Sequence, residues 1–447
     1  MKRSLWVRRM AAVTALALAA AACGNGEDVV DEPDDDATEE ATDDTDDAAA
    51  ADDAEVDDAE EGPETAEGVL NLGYVLPQSG QLAFLGPPQI GAVELALEDI
   101  NGAGGVLGND VTISGADEAG DTTVAAESAE RLVGEGVNAI IGAASSDMSR
   151  AFVDSVTSAG VLQCSGSNTA PVFSDNDYNG LYFRTAPTDA LQGPVLADIV
   201  IEDGNSNPAV LARADDYGQG LLDATVGALE DQGASIAAEI VYDPEAANFD
   251  AEVNEVVGSG ADSVILISFD EGAQILAGLI EEGFGPGSVG VYGADGLSSG
   301  DLPELVDPDD PGVLDGMRGT APGPDAPEEW LDRLREATGS DDTIYAAEVY
   351  DCVTIIALAA EIAGSDDAAD FAPEMVGVTS DGEECDSYAT CKELIDDGQD
   401  IAYQTLSGVS LIETETGNGE PSSGLYQIWE FDAEGNFDVT DRVESSF

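Results

Sequence analysis

The sequence predicts an α/β protein built on doubly wound, largely parallel sheets. Three observations lead there. Short apolar strands alternate with amphipathic helices from Val69 to Tyr292. Aromatic residues make up only 6% of the chain while Gly and Ala abound, which suits helices packed closely on sheets. Within Asn138–Thr169 a strand, a helix and a second strand follow one another at the spacing of a βαβ unit.

Taken in order, Met1–Ala22 has a basic start (Lys2, Arg3, Arg8, Arg9) and an apolar run too short to span a bilayer, the pattern of an export signal. Leu18–Gly24 resembles the lipobox of bacterial lipoproteins, which implies lipidation of Cys23. Residues 24–67 hold 22 acidic residues and no basic one, with almost no large apolar side chain. Such a segment cannot bury enough surface to fold and reads, with Cys23, as a disordered acidic tether over 23–67.

The body opens with the strand Val69–Leu76, stopped by Pro77-Gln-Ser-Gly80. Ile90, Val93, Leu97 and Ile100 share one helical face, and Asn101-Gly-Ala-Gly-Gly105 ends that helix. Strands then fall at Val111–Ile113, Ala209–Ala212, Ile236–Tyr242, Ser263–Phe269 and Val289–Tyr292. Helices fall at Thr123–Leu132, Gly220–Gln232, Phe249–Val257 and Ala273–Glu281. This is too much material for one sheet of ordinary size.

The central βαβ unit runs Ala139–Ile141, a helix over Asp147–Ala159, then Val161–Leu162. Ligands of parallel sheets sit beyond the carboxyl ends of the strands. Ser145 and Ser146 stand at one such end and Ser165-Gly-Ser167-Asn-Thr169 at the other. A serine at the start of the helix is placed to cap it, and the free N–H groups there favour a carboxylate. Either turn alone is only a turn; two in one unit point to a site.

Acidic residues number 94 against 13 basic ones, a net charge of −81. Phosphate repulsion on that scale excludes a nucleic-acid partner. It fits a protein that works at high salt, where self-repulsion is screened within about 3 Å at molar ionic strength. Histidine is absent, which removes Ser-His-Asp, Cys-His and His-metal chemistry together. No enzyme, cofactor or metal is expected. Gly285–Gly290 matches GxGxxG but follows a helix and precedes a strand, the reverse of a dinucleotide site. Asp432–Asn436 reads as a hairpin turn rather than a calcium loop.

The segments PQSGQLAFLGPPQIGAVELALEDINGAGGVLG (Pro77–Gly108), IIGAASS (Ile140–Ser146) and YFRTAPTDALQGPVLADIV (Tyr182–Val200) make the resemblance specific. ADDYGQGL (Ala214–Leu221) and YGADG (Tyr292–Gly296) extend it. Together they resemble the branched-chain amino acid–binding proteins, solute receptors of ABC importers with the type I periplasmic-binding-protein fold. SGLYQIWEFDAEGNF (Ser423–Phe437) resembles that family's closing hairpin.

The resemblance implies two α/β lobes joined by three chain crossings and closing on a ligand. The crossings are expected at Arg184-Thr185, Met317–Ala321 and near Gly364. That gives lobe one as 69–187 with 318–364, and lobe two as 188–317 with 365–447. It further implies that Ser146, Ser167 and Thr169, with Ser145 beside them, hold an amino acid's carboxylate. Asp295 would take the ammonium, Tyr217 would close over the ligand, and Leu85 and Phe269 would flank its side chain.

Of the remaining cysteines, Cys385 and Cys391 are close enough to bond locally. Cys164 and Cys352 are left for each other or as two free buried thiols. The expected function is an exported, lipid-anchored receptor on the outer face of the membrane. It would bind a branched-chain or related amino acid and present it to ABC permease subunits. The alternatives are a sensor of the same fold signalling to a membrane partner, or a receptor for amides, urea or aromatic compounds.

Overall fold

The computed structural model describes residues 68–380 and 382–447. The export signal, the tether and Cys23 lie outside the described residues. Five strands come first: β1 (Asn71–Leu76), β2 (Thr112–Asp117), β3 (Ala139–Gly142), β4 (Leu162–Ser165) and β5 (Tyr182–Arg184). Next are β6 (Pro208–Arg213), β7 (Ala238–Tyr242), β8 (Ser263–Ile267), β9 (Gly290–Gly293) and β10 (Arg318–Pro322). The last are β11 (Glu383–Cys385), β12 (Ile401–Tyr403), β13 (Leu411–Glu413), β14 (Gly419–Pro421), β15 (Ser423–Phe431) and β16 (Phe437–Ser446).

They form two seven-stranded sheets and a small parallel pair, β11–β12. The first sheet runs β13-β14-β5-β4-β3-β1-β2 and the second β16-β15-β10-β9-β8-β6-β7. Parallel pairing of β1 with both β2 and β3, and of β6 with both β7 and β8, is the doubly wound order the alternation predicts. Each core lies where apolar strands meet helix faces: Leu72, Ile141 and Leu162 in one lobe, Val210, Ile265 and Leu276 in the other. Among the described residues no helix is long and apolar enough to cross a membrane.

The crossings differ from expectation at two of three places. The first lies between β5 and the helix Asp189–Glu202. β10, however, pairs with β9 and β15, so residues 318–322 belong to the second lobe and the crossing follows at 323–327. The chain after Gly364 does not cross. Gly364, at φ 66°, only ends the helix Ala346–Ala363. Residues 365–421 stay with the first lobe, where β14 pairs with β5 through Gly419 and Phe183. The third crossing is at Ser422, between β14 and β15. The physical reason is Arg184: buried to 1%, it needs a carboxylate, and Glu420 on β14 supplies it.

Cys164 is bonded to Cys352, tying β4 to the helix Ala346–Ala363. Cys385 is bonded to Cys391, tying β11 to the helix Tyr388–Asp396. The Asp432–Asn436 segment is a hairpin turn whose Asp432 carboxylate accepts from the Asn436 backbone and side-chain N–H groups.

Candidate functional site

The seam between the lobes encloses a small cavity to which all seven residues expected to bind ligand contribute. Leu85, Ser146, Ser167 and Thr169 come from the first lobe; Tyr217, Phe269 and Asp295 come from the second. Ser145, Leu82, Ala144, Gly296 and Tyr345 complete the wall.

On the first lobe the sheet's carboxyl edge presents the hydroxyls. Ser145 occupies the cap position of the helix Ser146–Ser158, in extended conformation, but its side chain makes no capping bond. The expected cap therefore does not form. Just ahead of that helix the Glu118 carboxyl, just past β2, accepts from the backbone N–H groups of Ala144 (2.7 Å) and Ser145 (3.4 Å). Ser146 Oγ accepts from the Ala170 N–H at 3.4 Å, stitching the two hydroxyl-bearing turns together. Ser167 Oγ donates toward Gln89 Oε1 (3.3 Å) and the Ala144 carbonyl (3.2 Å). These are long bonds, readily exchanged for a stronger acceptor such as a carboxylate.

On the second lobe Asp295 follows β9 and is 5% exposed. Its Oδ1 accepts from Gln192 Nε2 (2.9 Å) and Tyr217 Oη (3.0 Å), and its Oδ2 from Tyr345 Oη (2.8 Å). Burial raises its pKa, against the pull of Tyr345, Gln192 and Tyr217. A carboxylate offers about four lone-pair positions and three are taken, so one on Oδ2 remains for a further donor. Phe269 stacks on Tyr217 with ring centres 5.2 Å apart, and the Arg213 guanidinium lies 3.6 Å above the Phe269 ring. Gly296 permits that packing: a Cβ there would stand 2.3 Å from the Ser268 carbonyl and 2.7 Å from the Phe269 ring.

The cavity itself measures about 20 Å³, room for a single water. In this arrangement of the lobes it has no room for a larger molecule. Hydroxyl donors on one side and a carboxylate on the other form a pair of half-sites suited to a small zwitterion with an apolar body. Among the described residues no group of His, Cys, Asp and Glu forms a metal site.

Sequence reasoning missed Tyr345, Gln192 and Glu118. Gln192 lies inside the recognised segment Tyr182–Val200, three residues from Asp189 on the same helix, and that was its only signal. Tyr345 adopts φ 60° at the head of the helix Ala346–Ala363. This left-handed conformation of a bulky residue has no sequence mark.

Residues 69–393 match the family model described as periplasmic binding protein. The Leu/Ile/Val-binding protein homolog 3 of Brucella melitensis is 27% identical over 368 residues, 81% of this chain and 91% of that one. A leucine-, isoleucine-, valine-, threonine- and alanine-binding protein of Pseudomonas aeruginosa is 25% identical, covering 68% of this chain and 80% of its own. Among solved structures, a leucine-binding protein of Thermotoga maritima superposes with a TM-score of 0.69 at 19% identity, over 84% of this chain and 99% of that one. A solute-binding protein from R. palustris in complex with 4-hydroxybenzoate gives a TM-score of 0.68 at 17% identity, over 85% and 98%.

Proposed function

The chain belongs to the periplasmic binding protein family, the solute-binding partners of ABC permeases, and on that premise we propose that its ligand is a small amino acid with a branched or related aliphatic side chain. The observation that carries this reading is the shared cavity: Ser146, Ser167 and Thr169 from one lobe and Asp295 from the other line it together. In the proposed complex the three hydroxyls and the helix N-terminus hold the carboxylate, and Asp295 takes the ammonium. Tyr217, Phe269 and Leu85 enclose the side chain, worth about 0.8 kcal/mol per buried CH₂. A ligand touching both lobes stabilises the closed form by its extra contacts, and the permease reads that form. No covalent step is involved.

The receptor is exported and held at the outer face of the cytoplasmic membrane by lipid on Cys23, with residues 24–67 as its tether. Relatives named for leucine, isoleucine and valine support the aliphatic ligand. A second reading, an aromatic acid, draws on the hydroxybenzoate complexes of fold neighbours and on the Tyr217–Phe269 stack. A thermal-shift screen in molar salt separates them. Leucine, isoleucine or valine should raise the melting temperature most; a hydroxybenzoate that does so alone replaces the amino acid reading.

A further inference from the structure

A second cavity of about 320 Å³ lies along the same seam, directly behind Tyr345. Tyr345 and Trp330 line it from the first lobe, and Phe437, Val439 and Arg442 from the second. It is ligand-sized, whereas the predicted site is not in this closed arrangement.

Two groups stand out in its wall, the exposed Arg442 and the buried Trp330. Among the described residues Arg442 is the one basic side chain with no ion pair, in a chain whose acids outnumber its bases about sevenfold. Its Nε donates to the Gly323 carbonyl at 3.3 Å, which fixes the stem of the guanidinium. The indole N–H of Trp330, a residue 7% exposed, has no acceptor at all. Gln427 stands opposite Arg442 in the β15–β16 register and also lines the cavity, adding an amide.

Acids stand at the rim as well. Glu328, Asp332 and Asp341 share the one charge of Arg335. Asp342 is held toward its protonated form by burial, with Asp301 and Asp341 adding to the effect. Arg442 is the basic group of the wall that none of these acids pairs with.

We infer that this seam cavity is a second binding site, taking a small organic carboxylate with an apolar body. Its carboxylate meets Arg442 and the Trp330 N–H, and its body packs on Phe437, Val439 and the outer side of Tyr345. Both lobes contribute to the wall, so an occupant favours the closed form. It also presses on the residue that bonds Asp295, which couples the two sites through one side chain.

The probe that separates the sites is 4-methylpentanoate, leucine without its ammonium, which cannot satisfy Asp295. Isothermal titration of the protein in molar salt should show it binding both alone and in the presence of saturating leucine. It should also tighten leucine binding severalfold. Arg442→Ala should weaken 4-methylpentanoate at least tenfold and leave leucine titrated alone unchanged, Arg442→Lys should restore part of the loss, and Trp330→Phe should weaken it severalfold. Asp295→Ala, which removes the Tyr345 bond across the seam, should weaken it far less than Arg442→Ala does, which keeps this site's test apart from that of the cleft. Absence of binding at millimolar probe, displacement of the probe by leucine, or unaltered binding by Arg442→Ala would each overturn the inference.

Discussion

The Tyr345 hydroxyl donates to Asp295 Oδ2 at 2.8 Å, and the two residues belong to opposite lobes. One bond therefore does two things: it orients the carboxylate and it closes the seam. Tyr345→Phe removes a donor from a buried carboxylate, at a cost of about 1–3 kcal/mol. Chemical denaturation in molar salt should register that loss; an unchanged midpoint would mean that the bond does not form.

Glu118 sets a pH dependence. Burial, which outweighs its two backbone bonds, raises its pKa from 4.5 to about 8, and burial raises Glu348 to about 8 as well. Between those values the folded protein keeps protons that the unfolded chain has lost. Stability from each group is thus complete below about pH 4.5 and falls as pH rises toward 8, by about 1.4 kcal/mol per pH unit. The melting temperature should drop from pH 5.5 to pH 8, and Glu118→Gln should flatten part of that slope. An identical slope in the variant would refute the assignment.

The Cys164–Cys352 bond closes a loop of 188 residues. Chain-entropy reasoning gives such a loop about 5 kcal/mol. Cys352→Ala should lower the denaturation midpoint sharply, and reductant should lower the natural protein's midpoint by more than that of the variant, which keeps only Cys385–Cys391. Equal midpoints in the natural protein and the variant would show the bond to be absent.

Much of the fold is legible in the sequence because the strands are short apolar runs bounded by Gly, Pro and Asn. Ala139–Gly142 and Ser263–Ile267 are examples, buried at every position. The candidate site is legible where it follows from strand ends, as at Ser146 and Asp295. What stays hidden depends on partners distant in sequence. Glu420 marks β14 as a first-lobe strand only through Arg184, 236 residues earlier. Glu118 reaches the backbone N–H groups of Ala144 and Ser145 from 26 and 27 residues away. Tyr345 reaches Asp295 through a backbone conformation that nothing in its neighbours demands.

The whole composition bears on conditions. A net charge of −81 repels itself over about 10 Å at 0.1 M salt but only about 3 Å at 1 M. Circular dichroism should show the fold retained in molar salt and weakened on dialysis to dilute buffer. A melting temperature indifferent to salt would contradict that reading.

The most direct measurement is calorimetric titration with L-leucine of the natural protein and of Asp295→Ala, side by side in molar salt. Loss of at least tenfold in affinity, about 1.4 kcal/mol, is the outcome predicted for a carboxylate that holds the ligand's ammonium. Equal affinity in the two proteins would contradict it.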